Sequence, residues 1–101
     1  MVQKITKVVH CMRDSYDVYI GRGRCPKTGN FYGFGNPFSI GKDGTRKEVI
    51  EKYRIYFYER LKKDNNFWRK VQECKNKTLG CWCKPEDCHG DIIAEYLNER
   101  N

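Results

Sequence analysis

Long apolar runs are missing from this 101-residue chain. None approaches the ~18 consecutive apolar residues of a membrane span, so no membrane partner is expected. Met1 to Val9 alternates polar and apolar residues. It lacks the apolar stretch of a secretion signal, which leads to the expectation of a cytoplasmic protein. No internal repeat, low-complexity tract or linker interrupts the chain, and one domain over residues 1–101 is the economical reading. No Walker loop is present, and no G-x-G-x-x-G opens a helix after a strand. Acidic residues are in deficit, 13 against 20 lysines and arginines, giving a net charge of +7. That balance favours anionic partners: nucleic acid, nucleotides or phosphorylated metabolites. The plainer meaning of the same charge is solubility.

Aromatic residues make up 14% of the chain, too many for a disordered tail. A chain of this length buries roughly two-thirds of its unfolded surface, enough for one modest core. Six cysteines are many for the length. Without a secretion signal they point to metal binding or reactive thiols rather than to disulfides.

Ile5–His10 reads as a first strand and Asp17–Gly21 as a second, ended by Gly21 and Gly23. Arg22 to Gly44 is a long glycine-rich loop, and loops of that length in small domains tend to be functional. Thr45-Arg46-Lys47-Glu48 fits a capping box, and Val49, Tyr53, Phe57 and Leu61 follow at helical spacing. That helix should end near Lys63–Asp64. A second helix follows Asn65 or Asn66, with Phe67, Val71 and Cys74 on one face. Lys77–Cys83 reads as a strand, Pro85 turns the chain, and a last helix runs from about Asp87 to Glu99. The order β-β-loop-α-α-β-α predicts an α/β domain with a short, partly parallel sheet packed with three helices.

The densest chemistry lies between Leu79 and Asp91. Cys81 and Cys83, two apart in the expected strand, point to one face. Cys88 shares a helix face with Ile92 and Tyr96, and His89 with Ile93 and Leu97. Cys83, Cys88 and His89 must therefore be close in space. Two functions are open to them. Cys81, Cys83, Cys88 and His89 form a Cys₃His set that could hold zinc or another thiophilic metal. The spacing, C-x-C-x₄-C-H, is not that of paired C-x₂-C knuckles, and adjacent Cys88 and His89 are awkward to aim at one ion. Alternatively, a helix N-terminus binds anions and lowers the pKa of a nearby thiol. Cys83 or Cys88 could then be a thiolate and His89 a general base or phosphate ligand. The bland reading is buried packing thiols beside a structural histidine. Cys11, Cys25 and Cys74 are scattered and read as packing or surface thiols.

Arg22 and Arg24 follow the second strand, at the carboxyl end where α/β sheets bind ligands. Gly35-Asn36-Pro37-Phe38 offers close backbone approach, an amide and a stiff turn, or is simply a turn pinned by Phe38. Arg46 at the long helix's start could assist an anion or be solvated. Tyr53, Tyr56 and Tyr58 read as core and rim rather than a nucleic-acid face.

Three motifs together, Tyr16-Asp17-Val18-Tyr19-Ile20-Gly21-Arg22, Gly35-Asn36-Pro37-Phe38 with Asp43-Gly44-Thr45-Arg46, and Gly80-Cys81-Trp82-Cys83-Lys84-Pro85 with Cys88-His89-Gly90-Asp91, carry a resemblance. The chain resembles the domain-of-unknown-function 4326 family of small phage, viral and bacterial proteins, from about Val8 to Leu97. Its loop at Arg24–Tyr32 is longer than the family pattern. The tail from Leu79 to Leu97 is also similar to a second Cys-His family, whose pattern maps onto Cys83, Pro85, Cys88 and His89. The resemblance implies no particular activity.

The residues lead to a first expectation of an enzyme or binding protein for a nucleotide-like or phosphorylated ligand. Arg22, Arg24, Asn36 and Arg46 would hold the anion. Cys83, Cys88 and His89 would line the reacting end, with Asp17 or Asp91 as carboxylate partners. Transfer or hydrolysis at a glycosidic or phosphate bond would suit such a site, as would mere sequestration of the ligand. The alternative is a Cys₃His module, stabilised by zinc, that binds nucleic acid or protein without catalysis.

Overall fold

The computed structural model describes residues 5–99. Its elements are β1 (Lys7–His10), β2 (Val18–Tyr19), α1 (Arg46–Lys63), α2 (Asn65–Glu73), β3 (Thr78–Cys81) and α3 (Gly90–Glu99). The three strands form one sheet in the order β1-β3-β2, with both pairings parallel. The expected α/β architecture is present, and its sheet is parallel throughout. Among the described residues no helix is long and apolar enough to cross a membrane.

β3 is central because it can be covered on both faces. Leu79 and Cys81 are fully buried, as parallel strands between helices generally are. Gly80 lets the Tyr16 ring lie directly over the strand, with Tyr16 Cγ 2.6 Å from where a Cβ would stand. On β2 the ladder is longer than the two-residue strand suggests. Asp17 donates its N–H to Thr78 O (2.8 Å) and Ile20 to Gly80 O (2.9 Å).

α1 starts and stops where its sequence dictates. Thr45 Oγ1 accepts the Glu48 N–H (3.2 Å) and Glu48 Oε1 accepts the Thr45 N–H (2.9 Å), closing the capping box. Val49, Tyr53, Phe57 and Leu61 are its buried stripe. Phe57 meets both Phe67 of α2 and Tyr96 of α3 edge to face, so one ring joins all three helices. Burying a side chain of this size contributes about 1.5–3 kcal/mol. Tyr53 donates its hydroxyl to Phe34 O (3.0 Å), which moors the glycine-rich loop to α1. Asp64 ends α1 and caps α2, its carboxylate accepting the Phe67 N–H (3.1 Å).

The boundaries of β1, β2, β3 and α3 differ from the sequence expectation. The first strand begins at Lys7 rather than Ile5, and β2 covers only part of Asp17–Gly21. β3 covers Thr78–Cys81, not Lys77–Cys83. β1 turns away after His10, whose carbonyl accepts from both Arg13 and Asp14, and β2 ends at Tyr19. Trp82 and Cys83 have no neighbouring strand left to pair with. Cys81 and Cys83 are therefore not two rungs of one strand. α3 begins at Gly90 rather than Asp87. The Asp91 carboxylate accepts the Cys88 N–H (3.1 Å), and Cys88 Sγ accepts the Gly90 N–H (3.3 Å). These contacts hold Cys88 and His89 just ahead of the first helical turn. The loop from Arg22 to Gly44 also contains local structure, an antiparallel bridge between Arg24 and Phe31.

Candidate functional site

The carboxyl ends of β2 and β3 lie side by side, and a cavity of about 430 Å³ opens there. This is the edge of a parallel sheet where ligands usually bind, and the volume falls within the ~300–1,000 Å³ of small-molecule sites. Arg22, Asn36, Arg46, Cys83, Cys88 and His89 all line it. They come from the end of β2, the glycine-rich loop, the first turn of α1 and the lead-in to α3. Arg24 is the exception: it donates to Gly29 O (3.2 Å) within the small hairpin.

Arg22 frames one wall. Its Nε donates to Asn36 O and its Nη2 to Phe38 O, both at 2.6 Å. Gly35 is required beneath it, since a Cβ would stand 2.9 Å from Arg22 Cα. Asn36 is itself held by the loop. Its Nδ2 donates to Val49 O (3.2 Å) and its Oδ1 accepts the Phe38 N–H (2.9 Å). Asn36 thus shapes the wall with its side chain. Three of the five guanidinium N–H groups of Arg22 remain for a ligand.

Arg46 lines the same cavity, where it donates Nη1 to Asp87 O (3.1 Å) and its charge lowers the Cys83 pKa. The solvated alternative for Arg46 is not what the fold shows. Among the described residues neither Arg22 nor Arg46 is paired with a carboxylate. Two guanidinium groups without a carboxylate partner border a partly apolar cavity and the Cys83 thiol, where positive charge favours an anion.

The thiols form a connected group. Cys88 lies beside Cys81 and Cys83. Their closeness, together with burial, raises the Cys88 pKa, so Cys88 keeps its proton. The Cys88 thiol is the chief influence lowering Cys83 to about 6; Arg46 and Arg22 add to it, against burial. Cys88 likewise lowers Cys81 to about 7, with the Lys84 and Cys83 backbone adding to it, against burial. Two adjacent thiolates repel, and the charge of Arg46 and Arg22 favours ionisation at Cys83. Cys83 is also partly exposed, whereas Cys81 and Cys88 are buried.

His89 Nε2 is 2.7 Å from Ile20 O, so Nε2 carries the proton and donates it. Nδ1 is then the acceptor, and the Cys88 thiol donates to it (3.6 Å). Burial lowers the His89 pKa, outweighing the Ile20 carbonyl, and the imidazole is neutral. The Tyr53 ring meets it edge to face at 4.9 Å. Among the described residues, no group of three or more Cys, His, Asp or Glu side chains stands in an arrangement to hold a metal ion.

The carboxylates considered from sequence serve the scaffold. Asp17 Oδ2 accepts the Thr78 N–H (2.9 Å). Asp91 takes the Cys88 N–H and an ion pair from Lys84 Nζ (2.6 Å). The rim holds residues that sequence reasoning passed over. Trp82 is half exposed, its Nε1 donating to Tyr19 Oη (2.6 Å). Its place between Cys81 and Cys83 was the available signal. Cys11 and Cys25 are not surface thiols: both are buried in a second cluster with Tyr19. Tyr16 Oη lies 2.9 Å from Cys25 Sγ. Cys74 is buried in the main core.

Residues 3–99 match the profile of a family described as a domain of unknown function (DUF4326). The uncharacterized 12.4 kDa protein in the nrdA-td intergenic region of Enterobacteria phage T4 is 35% identical over 98 residues. That match covers 96% of this chain and 82% of the phage protein. An uncharacterized protein of Acanthamoeba polyphaga mimivirus is 33% identical over 94 residues, covering 78% of this chain and 65% of its own length. No solved structure matches.

Proposed function

The chain belongs to the DUF4326 family, and we propose that it binds a nucleotide-like or otherwise phosphorylated ligand between the glycine-rich loop and the start of α3. One observation carries this reading: Arg22 and Arg46, neither paired with a carboxylate, line the same cavity at the carboxyl ends of β2 and β3. A phosphate between them would accept charge-assisted, bidentate hydrogen bonds. The half-exposed Trp82 ring on the rim offers a stacking face for a base. Cys83, Cys88 and His89 line the same space, which adds a reacting end. The Cys83 thiolate would be the nucleophile, the Cys88 thiol a proton donor, and His89 Nδ1 a proton acceptor. Six reduced cysteines suit a cytoplasmic setting.

The test is a thermal-shift and calorimetric survey of nucleotides and sugar phosphates on wild-type protein and Arg46→Ala. A phosphorylated compound should bind the wild type, and Arg46→Ala should weaken it roughly tenfold or more, as losing a charged hydrogen bond costs about 1.5–3 kcal/mol. If no phosphorylated compound binds, the reading fails.

The closeness of Cys81, Cys83 and Cys88 carries one second reading, a zinc-stabilised module that binds nucleic acid or protein without catalysis. It predicts near one zinc per chain in protein purified without chelator, with the three thiols protected from alkylation. Metal-free protein with a reactive Cys83 excludes it.

A further inference from the structure

A second cavity, of about 470 Å³, adjoins the first. Arg22, Asn36 and Ser39 belong to the walls of both. Its far side carries Phe31, Arg60 and Lys70. Neither the family match nor the cysteine chemistry accounts for it.

The second cavity is shallower and more polar than the first, but the two share a pattern. Each has an exposed ring at its margin, Trp82 (50% exposed) for the first and Phe31 (62%) for the second. Phe31 belongs to the small hairpin, where it lies beside Gly33: a Cβ on Gly33 would sit 3.5 Å from the ring. Each cavity also has its own cations. Arg60 is fixed in place, donating to Gly33 O (3.2 Å) and stacking over the Phe67 ring (4.1 Å), with Asp64 at 3.5 Å. Lys70 is exposed and has no carboxylate partner among the described residues. Arg22 belongs to the walls of both lobes. Both volumes lie in the ~300–1,000 Å³ range of small-molecule sites.

We propose that the two cavities form one bipartite site for a dinucleotide, two nucleosides joined through phosphate. One base stacks on Trp82 in the first cavity. The linking phosphate crosses the shared wall at Arg22. The second nucleoside lies in the second cavity against Phe31, with Lys70 beside its phosphate. Aromatic faces accept any base, and the cations follow the backbone, so the site selects length and charge before base identity. The proposal rests on the reading of the first cavity as a phosphate site.

The experiment compares 5′-mononucleotides with the matching 5′-phosphorylated linear dinucleotides. Binding is read by calorimetry and by quenching of Trp82 fluorescence in a Trp68→Phe background. The proteins are the parent, Phe31→Ala, Lys70→Glu and Arg46→Ala, each checked for folding by circular dichroism. The dinucleotide should bind the parent at least tenfold more tightly than the mononucleotide. Phe31→Ala and Lys70→Glu should abolish that advantage and leave the mononucleotide affinity unchanged. Arg46→Ala should weaken both probes. Equal affinities for the two probes in the parent overturn the proposal while leaving the first cavity's reading intact. So does an advantage that survives both Phe31→Ala and Lys70→Glu. Absence of binding by either probe overturns both. A decamer of the same sequence binding as well as the dinucleotide assigns the end of a single strand as the source. Exclusion of the decamer assigns a free dinucleotide; both results support the site.

Discussion

The imidazole of His89, 2.7 Å from the carbonyl oxygen of Ile20 through Nε2, ties the start of α3 to the end of β2. It joins segments 69 positions apart in the chain. The bond fixes the tautomer, turns Nδ1 toward Cys88, and closes the floor of the cavity.

That bond makes stability depend on pH. Burial lowers the His89 pKa below its ordinary 6.5. The neutral ring therefore contributes stability that is fully present above pH 6.5 and is lost as pH falls through the folded-state value. His89→Gln keeps a donor for Ile20 O but cannot titrate. Urea midpoints should decline below pH 6.5 in the wild type and decline less steeply in His89→Gln. Parallel curves would show that other groups govern the acid limb.

Cys83 should be the fastest-alkylated thiol. Its reaction with iodoacetamide should titrate with a midpoint of about 6, well below the ordinary thiol value of 9.0. Cys88→Ala removes the chief group that lowers the Cys83 pKa, and Arg46→Ala removes a smaller one. Both variants should raise the midpoint, Cys88→Ala by more. Mass spectrometry of the alkylated peptide identifies the residue, and a midpoint unmoved by either variant contradicts these causes of the low Cys83 pKa.

Gly80→Ala should destabilise the fold by about 1–3 kcal/mol, the usual cost of overpacking. The new Cβ would stand 2.6 Å from Cγ of the Tyr16 ring, above the central strand. In a domain of this size the melting temperature should fall by roughly 4–8 °C per kcal/mol. A near-neutral effect would mean that the Tyr16 ring moves aside freely.

Arg22→Met should loosen the loop without unfolding the core. It removes both 2.6 Å bonds to Asn36 O and Phe38 O. Hydrogen exchange at residues 36–39 should quicken, while Leu79 and Ile93 in the core stay protected. Phosphate affinity should fall further than the loop opening accounts for, because the charge is lost as well. Arg22→Lys restores the charge but not the fork. Lysine recovering part of the affinity, with exchange still fast, separates the two roles.

Local rules were enough for much of the molecule. The capping box at Thr45 and Glu48 and the four-residue spacing of Val49, Tyr53, Phe57 and Leu61 located α1 nearly to the residue. Cap and stripe are determined by neighbours within a few positions. Strand ends were less legible. Trp82 and Cys83 look like more of β3, but a strand lasts only as long as its partners do. Those partners, β1 and β2, come from more than sixty residues earlier in the chain, as Cys11 N–H to Cys81 O shows. The same limit hid Trp82 and Phe31, whose exposure depends on what fails to cover them.

The sequence by itself determined the element order, the helical stripes, the family, and which residue types carry chemistry. Spacing and side-chain type act locally, so they can be read locally. Only the tertiary structure decided that Arg46 turns into the cavity rather than to solvent, and that Arg24 stays in its own hairpin. It also decided that Cys83, unlike Cys81 and Cys88, is partly exposed beside the arginines. Each of those outcomes depends on groups brought together by the parallel crossovers of the sheet, from segments that no spacing rule connects.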